Sequence, residues 1–251
     1  IDKDSLPQQT RMELFIQDIS NKFKVTHPYG YDYMETATQW AGVHLENKHD
    51  VAVIKWQSRK LEGRVEFSWL PSSVWNLTLV ANKLDGTIPL NELPRNMRIL
   101  EVAENRFFGT LALQHMPPKM ERANFSVNKL NGSLDFENLP KPLKKLNLNH
   151  NTFSGGIVLT NLPQCLEFLS VTRNRLDGHL DFTQLPQAMK HLSVAGNPFE
   201  GESNFSRLPS SLQQLDVSNT HLSGVISQNP DKPMRCKFLF KGSNVTYEHI
   251  E

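Results

Sequence analysis

The sequence predicts a mostly β, α/β solenoid: about eight short coils stacked into a concave parallel β-sheet, with a helical cap at the N-terminus. Three series of residues support this prediction, because each recurs every 23 residues and all three stay in one phase. The glycines are Gly63, Gly86, Gly109, Gly132, Gly155, Gly178, Gly201 and Gly224; the asparagines are Asn82, Asn105, Asn128, Asn151, Asn174 and Asn197; the prolines are Pro71, Pro94, Pro117, Pro140, Pro163, Pro186 and Pro209. A fixed period of this length is typical of a solenoid, in which each coil contacts only its neighbours.

The register continues from about Val51 to Ile226, so we expect one structural domain with a cap at each end. Residues 51–228 form eight repeats, residues 1–50 the N-terminal cap and residues 229–251 the C-terminal cap. From Pro230 onward the register is lost, although apolar residues remain to cover the last coil.

The N-terminal cap is predicted to contain an amphipathic helix between Arg11 and Lys24, because apolar residues recur there at helical spacing. These residues are Met12, Leu14, Phe15, Ile19 and Phe23. The helix would cover the first coil.

The repeat from Leu143 to Pro163 shows how one coil is built. Leu146 and Leu148 alternate with polar residues, which is the period-two pattern of a strand with one buried face. Asn151 then enters the turn, where its side chain can bond to backbone groups that sheet pairing leaves unsatisfied. Gly155 provides a positive φ or a close approach of neighbouring backbones, and a second short strand follows on the convex side.

The repeat pattern L-x-x-L-x-L-x-x-N-x-L/F-x-G resembles the leucine-rich repeat family, and its 23-residue form is similar to repeats of kinetoplastid, other protist and plant-type proteins. Trp40-Ala41-Gly42-Val43 is also similar to the W-x-G-V segment that introduces plant-type repeats. The cysteines that accompany that segment in the family are absent here, so no disulfide-bonded cap is implied. The resemblance implies a right-handed, horseshoe-shaped superhelix that binds a protein or peptide on its concave face.

The concave strand positions differ from coil to coil, as expected of a recognition surface. Basic residues lie in the middle near one aromatic residue, and acidic residues lie toward both ends. An acidic or phosphorylated polypeptide with one apolar anchor would suit this surface. The candidate partner-binding residues are Glu101, Glu104, Arg122, Asn124, Lys145, Asn147, His150, Phe168, Arg173, His191 and Asp216.

Composition and spacing argue against several other functions. The chain has 27 Lys and Arg against 26 Asp and Glu, so no strong field would attract nucleic acid or an anionic membrane. No apolar stretch is long enough for membrane insertion. His150 and His191 lie two coils apart, about 10 Å at the sheet spacing, which is too far to share a metal. No nucleophile, base and acid occur at a recognisable spacing, so we expect no enzyme activity and no cofactor.

Two signals about the cellular compartment conflict. Cys165 and Cys236 lie three coils apart and are expected to be free thiols, which favours an intracellular location. Five Asn-x-Ser/Thr sequons would instead allow glycosylation of a secreted or cell-surface protein. They begin at Asn76, Asn124, Asn131, Asn204 and Asn244.

The sequence thus favours a non-enzymatic protein-interaction module, with two alternatives. One is a structural subunit that enters a larger assembly through its edges and convex surface. The other is an extracellular leucine-rich repeat protein that recognises peptides or glycans.

Overall fold

The computed structural model describes residues 3–27, 36–228 and 236–249. Its helices are α1 (Gln8–Phe15) and α2 (Phe23–Thr26). Its strands are β1 (Val43–Glu46), β2 (Asp50–Lys55), β3 (Glu62–Arg64), β4 (Asn76–Thr78), β5 (Lys83–Asp85), β6 (Ile99–Glu101), β7 (Phe108–Thr110), β8 (Arg122–Asn124), β9 (Lys129–Gly132), β10 (Lys145–Asn147), β11 (Thr152–Gly155), β12 (Phe168–Ser170), β13 (Arg175–Leu176), β14 (His191–Ser193), β15 (Glu200–Glu202), β16 (Gln214–Asp216), β17 (His221–Gln228), β18 (Lys237–Leu239) and β19 (Asn244–His249).

The predicted solenoid and its parallel sheet are confirmed. The concave sheet has the strand order β1-β2-β4-β6-β8-β10-β12-β14-β16-β18. All of its strand pairs are parallel except β1 with β2, which form an antiparallel pair at the N-terminal edge. Each residue therefore lies beside the residue 23 positions later, as Lys145 lies beside Phe168.

The convex side carries the second strand of each coil in shorter sheets. Their orders are β3-β5, β7-β9-β11-β13 and β15-β17-β19. Short 3-10 turns such as Leu90–Glu92 and Leu113–His115 connect the convex side to the next concave strand.

The core lies between the two sides and runs the length of the stack. Leu146, Leu148 and Phe153 are fully buried, in the positions that the repeat predicts. Because one coil cannot bury these side chains alone, the stability of each coil depends on its neighbours.

The predicted asparagine ladder forms along this core. Asn151 Nδ2 donates to the carbonyls of Leu148 in its own coil and Phe125 in the preceding coil, at 3.2 and 3.0 Å. Its Oδ1 accepts the backbone N–H of Leu130 at 3.0 Å. Each amide thus joins two consecutive coils. In the coil after Asn197, Thr220 takes this place and its hydroxyl donates to the carbonyl of Val217 at 2.7 Å.

The N-terminal cap differs from the single long helix that the spacing predicts. Helix α1 ends at Phe15, and after a turn at residues 16–18 Ile19 forms an antiparallel bridge with Gly63. Ser20 N donates to the carbonyl of Glu62 at the edge of β3, at 2.9 Å. A helix that continued past Phe15 would not provide this hydrogen bond. Met12, Phe15 and Ile19 are buried as expected, but Phe23 is 59% exposed.

The C-terminal segment also differs from the prediction, because its described part keeps the repeat register. Strand β18 adds to the concave sheet with Phe238 beside Leu215, and β19 adds to the convex side. Ser243 takes the asparagine position, and its hydroxyl donates to the carbonyl of Phe240 at 2.7 Å. Aromatic residues in leucine positions and serine in the asparagine position hid this register from the sequence pattern. Residues 229–235 lie outside the described part of the chain.

Candidate functional site

A row of neighbouring side chains crosses the middle of the concave sheet. Parallel pairing places Ile99 beside Arg122, Arg122 beside Lys145, Lys145 beside Phe168 and Phe168 beside His191. The row is therefore apolar, basic, basic, aromatic and then imidazole. Each step corresponds to one strand spacing, about 4.8 Å.

A basic hollow of about 170 Å³ lies on one side of Phe168. Its polar lining comes from Glu101, Arg122, Asn124, Lys145 and Asn147. Arg122 and Lys145 are exposed, and no acidic side chain of the described chain forms an ion pair with either. Like charges on directly opposed strand positions are destabilising, so the hollow offers two cations that an anionic group would stabilise.

A second, polar hollow of about 240 Å³ lies on the other side of Phe168, with Asn149, His191 and Gln214 in its lining. Its floor is a hydrogen-bond network. Ser170 Oγ donates to Asn149 Oδ1 at 2.5 Å, and the hydroxyls of Thr172 and Ser193 lie 2.6 Å apart. These bonds fix the side chains, so this part of the surface is organised before any partner arrives.

Phe168 lines both hollows and is the central apolar feature of the concave face. It is partly buried, and its ring centroid lies 6.2 Å from that of His191. An aromatic side chain held in this way can provide contact area to a partner with little loss of rotamer freedom.

The remaining predicted binding residues lie along the edges of this face. Asp216 is partly buried and accepts the hydroxyl of Ser218 at 2.6 Å. Glu104, His150 and Arg173 are exposed just beyond the carboxyl ends of their strands. Asn76, Ser126 and Ser170, which also lie at non-leucine positions of the concave side, are buried.

Glu104, His150 and Arg173 belong to a column that the sequence pattern did not identify, here called the left-handed column. Its nine positions are 23 residues apart, and each has φ between +51° and +75°. They are Ser58, Ala81, Glu104, Val127, His150, Arg173, Gly196, Asn219 and Gly242. The backbone N–H of each central member bonds to the next coil, as His150 N donates to the carbonyl of Thr172 at 2.9 Å. Only Gly196, Asn219 and Gly242 have residue types that signal this conformation.

Charged side chains beside the concave strands link neighbouring coils. Lys190 Nζ lies 2.8 Å from Glu167, and Lys144 Nζ lies 3.6 Å from Glu121. The hydrogen bond and positive charge of Lys190 hold the pKa of Glu167 below its ordinary value. Lys144 and Lys190 are thus paired with acidic side chains of an adjacent coil, whereas Arg122 and Lys145 form no ion pair within the described part of the chain.

The five sequons fall into two groups. Asn76 is buried, and Asn124 Oδ1 accepts the hydroxyl of Ser126 at 2.8 Å on the concave side. Asn131 and Asn244 are exposed on convex strands, and Asn204 is exposed two residues after the end of β15. Glycosylation remains a prediction; at these three exposed positions it would leave the concave face open.

Cys165 and Cys236 are both free. Cys165 is exposed, whereas burial raises the pKa of Cys236 to about 11. Cys236 is therefore a poor nucleophile near neutral pH.

Outside the concave face, a largely apolar groove of about 350 Å³ lies in the N-terminal cap, lined in part by Ile16, Phe23 and Trp40. His27 also lines this groove and directly precedes residues 28–35, which lie outside the described part of the chain. We therefore assign no function to the groove. The described residues contain no cluster of three or more metal-ligating side chains. No helix among them is long and apolar enough to cross a membrane.

No protein-family model and no curated protein matches this chain. Solved structures do match. A plant ice-binding protein is 19% identical with a TM-score of 0.63, and the alignment covers 95% of this chain and 86% of that one. The Arabidopsis receptor kinase HAESA, whose leucine-rich repeat ectodomain was solved with a peptide hormone ligand, is 19% identical with a TM-score of 0.54. That alignment covers 97% of this chain and 49% of the ectodomain.

The plant peptide hormone receptor RGFR1, solved in complex with RGF2, is 24% identical with a TM-score of 0.54. Here the alignment covers 72% of this chain and 29% of the receptor. At these identities the comparisons establish the architecture and leave the ligand open. Together with the 23-residue coils and the asparagine ladder, they show that the chain has the leucine-rich repeat fold.

Proposed function

We propose that this protein is a non-enzymatic interaction module that binds a polypeptide partner on its concave sheet. The observation that carries the proposal is the position of Phe168 between a basic hollow and a polar, hydrogen-bonded hollow. An apolar anchor with different polar environments on its two sides can fix both the position and the direction of a bound segment.

The charge of the basic hollow supports an acidic or phosphorylated partner. Arg122 and Lys145 are adjacent, exposed and without an ion pair among the described residues. A carboxylate or phosphate placed between them would relieve their mutual repulsion and form charge-assisted hydrogen bonds. Glu101, at the far side of the same hollow, would disfavour an acidic group in a shifted register.

The solved neighbours support a polypeptide as the class of ligand. The HAESA leucine-rich repeat ectodomain was solved with a peptide hormone ligand. RGFR1 is a plant peptide hormone receptor that was solved in complex with RGF2. Their names supply no partner for this chain. The concave residues named above are what would recognise it.

The test is affinity capture from the native source with wild type, the double variant Arg122→Glu/Lys145→Glu and the control Lys129→Glu. Lys129 is exposed on convex strand β9 in the same coil as Arg122. We expect the captured polypeptide to be lost with the double variant and retained with the control. Unchanged capture by the double variant would refute concave recognition and favour a structural subunit that assembles through its edges.

A further inference from the structure

A row of basic side chains runs along one edge of the stack, where each concave strand has ended and the chain passes to the convex side. The backbone N–H of Arg106 donates to the carbonyl of Leu84 in the preceding coil, and that of Lys129 to the carbonyl of Phe107, both at 2.8 Å. Neighbouring members of the row are therefore about 4.8 Å apart, one strand spacing. The row, here called the edge row, consists of Lys60, Lys83, Arg106, Lys129, Thr152 and Arg175, of which all but Thr152 are basic and exposed.

Acidic side chains neutralise the first coils on this side of the molecule. Lys83 Nζ lies 2.7 Å from Glu62, and Arg64 Nε lies 2.9 Å from Asp85. The hydrogen bond and positive charge of Lys83 hold the pKa of Glu62 below its ordinary value. Glu62 and Asp85 occupy the same position of the repeat. In the next three coils that position is uncharged, with Phe108, Asn131 and Ser154.

Arg106 and Lys129, in two of these coils, therefore have no acidic side chain to neutralise them. Neither forms an ion pair with any described residue. Glu104 lies two residues before Arg106 in the chain, but the two side chains are not paired. The edge row thus presents two free cations in consecutive coils, and an anionic ligand could form charge-assisted hydrogen bonds with both.

Uncharged hydrogen-bonding side chains and an exposed aromatic ring lie beside these cations. Phe108 is 41% exposed and lies directly beside Lys129 on the neighbouring convex strand. Thr110 lies beside Asn131 in the same sheet, and both are exposed. Hydroxyl and amide groups can exchange hydrogen bonds with sugar hydroxyls, and an aromatic ring can pack on the apolar C–H side of a sugar. This surface has the groups that a charged sugar chain requires.

We propose that the edge row binds a linear acidic polysaccharide, a chain of sugars that bear carboxylate or sulfate groups. The row spans five coil steps from Lys60 to Arg175, about 24 Å at the strand spacing. One sugar ring advances an extended polysaccharide by about one strand spacing, so successive anionic sugars meet successive coils. The site goes beyond the proposed function, because it lies outside the concave face and its ligand is independent of the polypeptide partner.

Nucleic acid fits the edge row less well. Proteins that hold single strands stack successive bases on successive aromatic side chains, whereas Asn131 and Ser154 follow Phe108 at the same position of the repeat. A duplex carries one charge per about 1.7 Å, and its phosphates follow a helical path that leaves a row of cations after a few contacts. Glu62 and Asp85, beside the first members of the row, would repel phosphates packed so closely.

The first test is direct titration of the full chain, produced without glycosylation so that Asn131 is bare. The probes are fluorescently labelled heparin, polygalacturonate, neutral dextran and single-stranded DNA, in about 0.15 M salt, where the Debye length is about 8 Å. We expect heparin, polygalacturonate or both to bind, and the tighter of the two identifies sulfate or carboxylate as the recognised group. Binding of neither, equal binding of dextran, or tighter binding of DNA would overturn the proposal.

The second test locates the site with charge reversals. We expect Arg106→Glu/Lys129→Glu to lower the affinity for the polysaccharide about tenfold or more, because two charge-assisted contacts become repulsive. Lys119→Glu/Lys141→Glu is the matched control, with the same change of charge at exposed positions on the opposite edge, before β8 and β10. It should bind as wild type does. Equal losses in the two variants would show general attraction to positive charge and overturn the edge row.

A third variant separates this site from the concave face. Arg122→Glu/Lys145→Glu changes the basic hollow by the same charge, and it should retain the polysaccharide. If this variant loses the polysaccharide while Arg106→Glu/Lys129→Glu keeps it, the polysaccharide binds the concave sheet and the edge-row proposal is wrong. Capture of a polypeptide by the concave face is measured separately, so a failure of the edge row leaves the proposed function intact.

Discussion

Asn151 Nδ2 donates to the carbonyl of Phe125 at 3.0 Å, across the boundary between two coils. The same side chain accepts the N–H of Leu130, so one buried amide satisfies backbone groups in its own coil and in the preceding one. Because the pattern repeats at each asparagine position, the amides hold the coils in register and thereby align the row that contains Phe168.

Replacing Asn151 with alanine should destabilise the protein by about 2–4 kcal/mol, because buried carbonyl and N–H groups lose their partners. Equilibrium unfolding in urea measures the change. Asn131→Ala is the control, since Asn131 is exposed on the convex strand of the preceding coil. Equal effects of the two substitutions would show that the ladder contributes no special stability.

Two glycines of the repeat series should respond differently to alanine. Gly155 has φ of +82° and a Cβ added there would meet no other atom within 4 Å, so Gly155→Ala should cost only the strain of that conformation, about 1 kcal/mol. A Cβ at Gly63 would overlap the carbonyl oxygen of Asp18, and Gly63→Ala should cost about 2–4 kcal/mol. Thermal or urea unfolding of the two variants checks the order. A larger loss for Gly155 would contradict the close packing of the N-terminal cap on the first coil.

The ion pair between Glu167 and Lys190 should make stability depend on pH. The pKa of Glu167 is lowered in the folded protein, so its carboxylate stabilises the fold above the ordinary glutamate pKa of about 4.3. This contribution is lost as the pH falls through the lowered pKa. We therefore expect Glu167→Gln to be less stable than wild type at pH 7, and this difference should shrink as the pH falls below the ordinary glutamate pKa. Glu137→Gln, at an exposed position, is the control, and a difference that grows in acid would contradict the assignment.

The two thiols should differ in reactivity. Cys165 is exposed, whereas burial raises the pKa of Cys236 to about 11. At pH 8 we expect iodoacetamide to modify Cys165 rapidly and Cys236 much more slowly, because the thiolate is the reacting form. Mass spectrometry follows the reaction, and Cys165→Ser should remove the rapid phase. Rapid modification of Cys236 would show that the last coil opens readily.

The sequence could predict the parts of the fold that depend on periodic side chains. Leu146 and Leu148 alternate with polar residues, and Asn151 keeps a fixed position, so strand, core and ladder follow from spacing. The end of helix α1 at Phe15 could not be predicted, because it depends on the distant pairing of Ile19 with Gly63.

The candidate site was predictable only in part, for the same reason. Alternation indicates that Lys145 and Phe168 face away from the core, and the 23-residue period makes them neighbours. The burial of Ser170 comes from a neighbouring asparagine side chain, and the positive φ of Val127 has no signal in its residue type. Both features arise from the stacking of neighbouring coils.

The central claim is that Phe168 anchors a polypeptide partner on the concave sheet, and its most direct test is the affinity of Phe168→Ala. Phe108→Ala is the matched control, because Phe108 is 41% exposed on convex strand β7. Calorimetric titration with the polypeptide captured by wild type should show a loss of about 2 kcal/mol or more, roughly 30-fold, for Phe168→Ala. Phe108→Ala should bind as wild type does. Equal affinity of the Phe168→Ala variant and wild type would contradict the account.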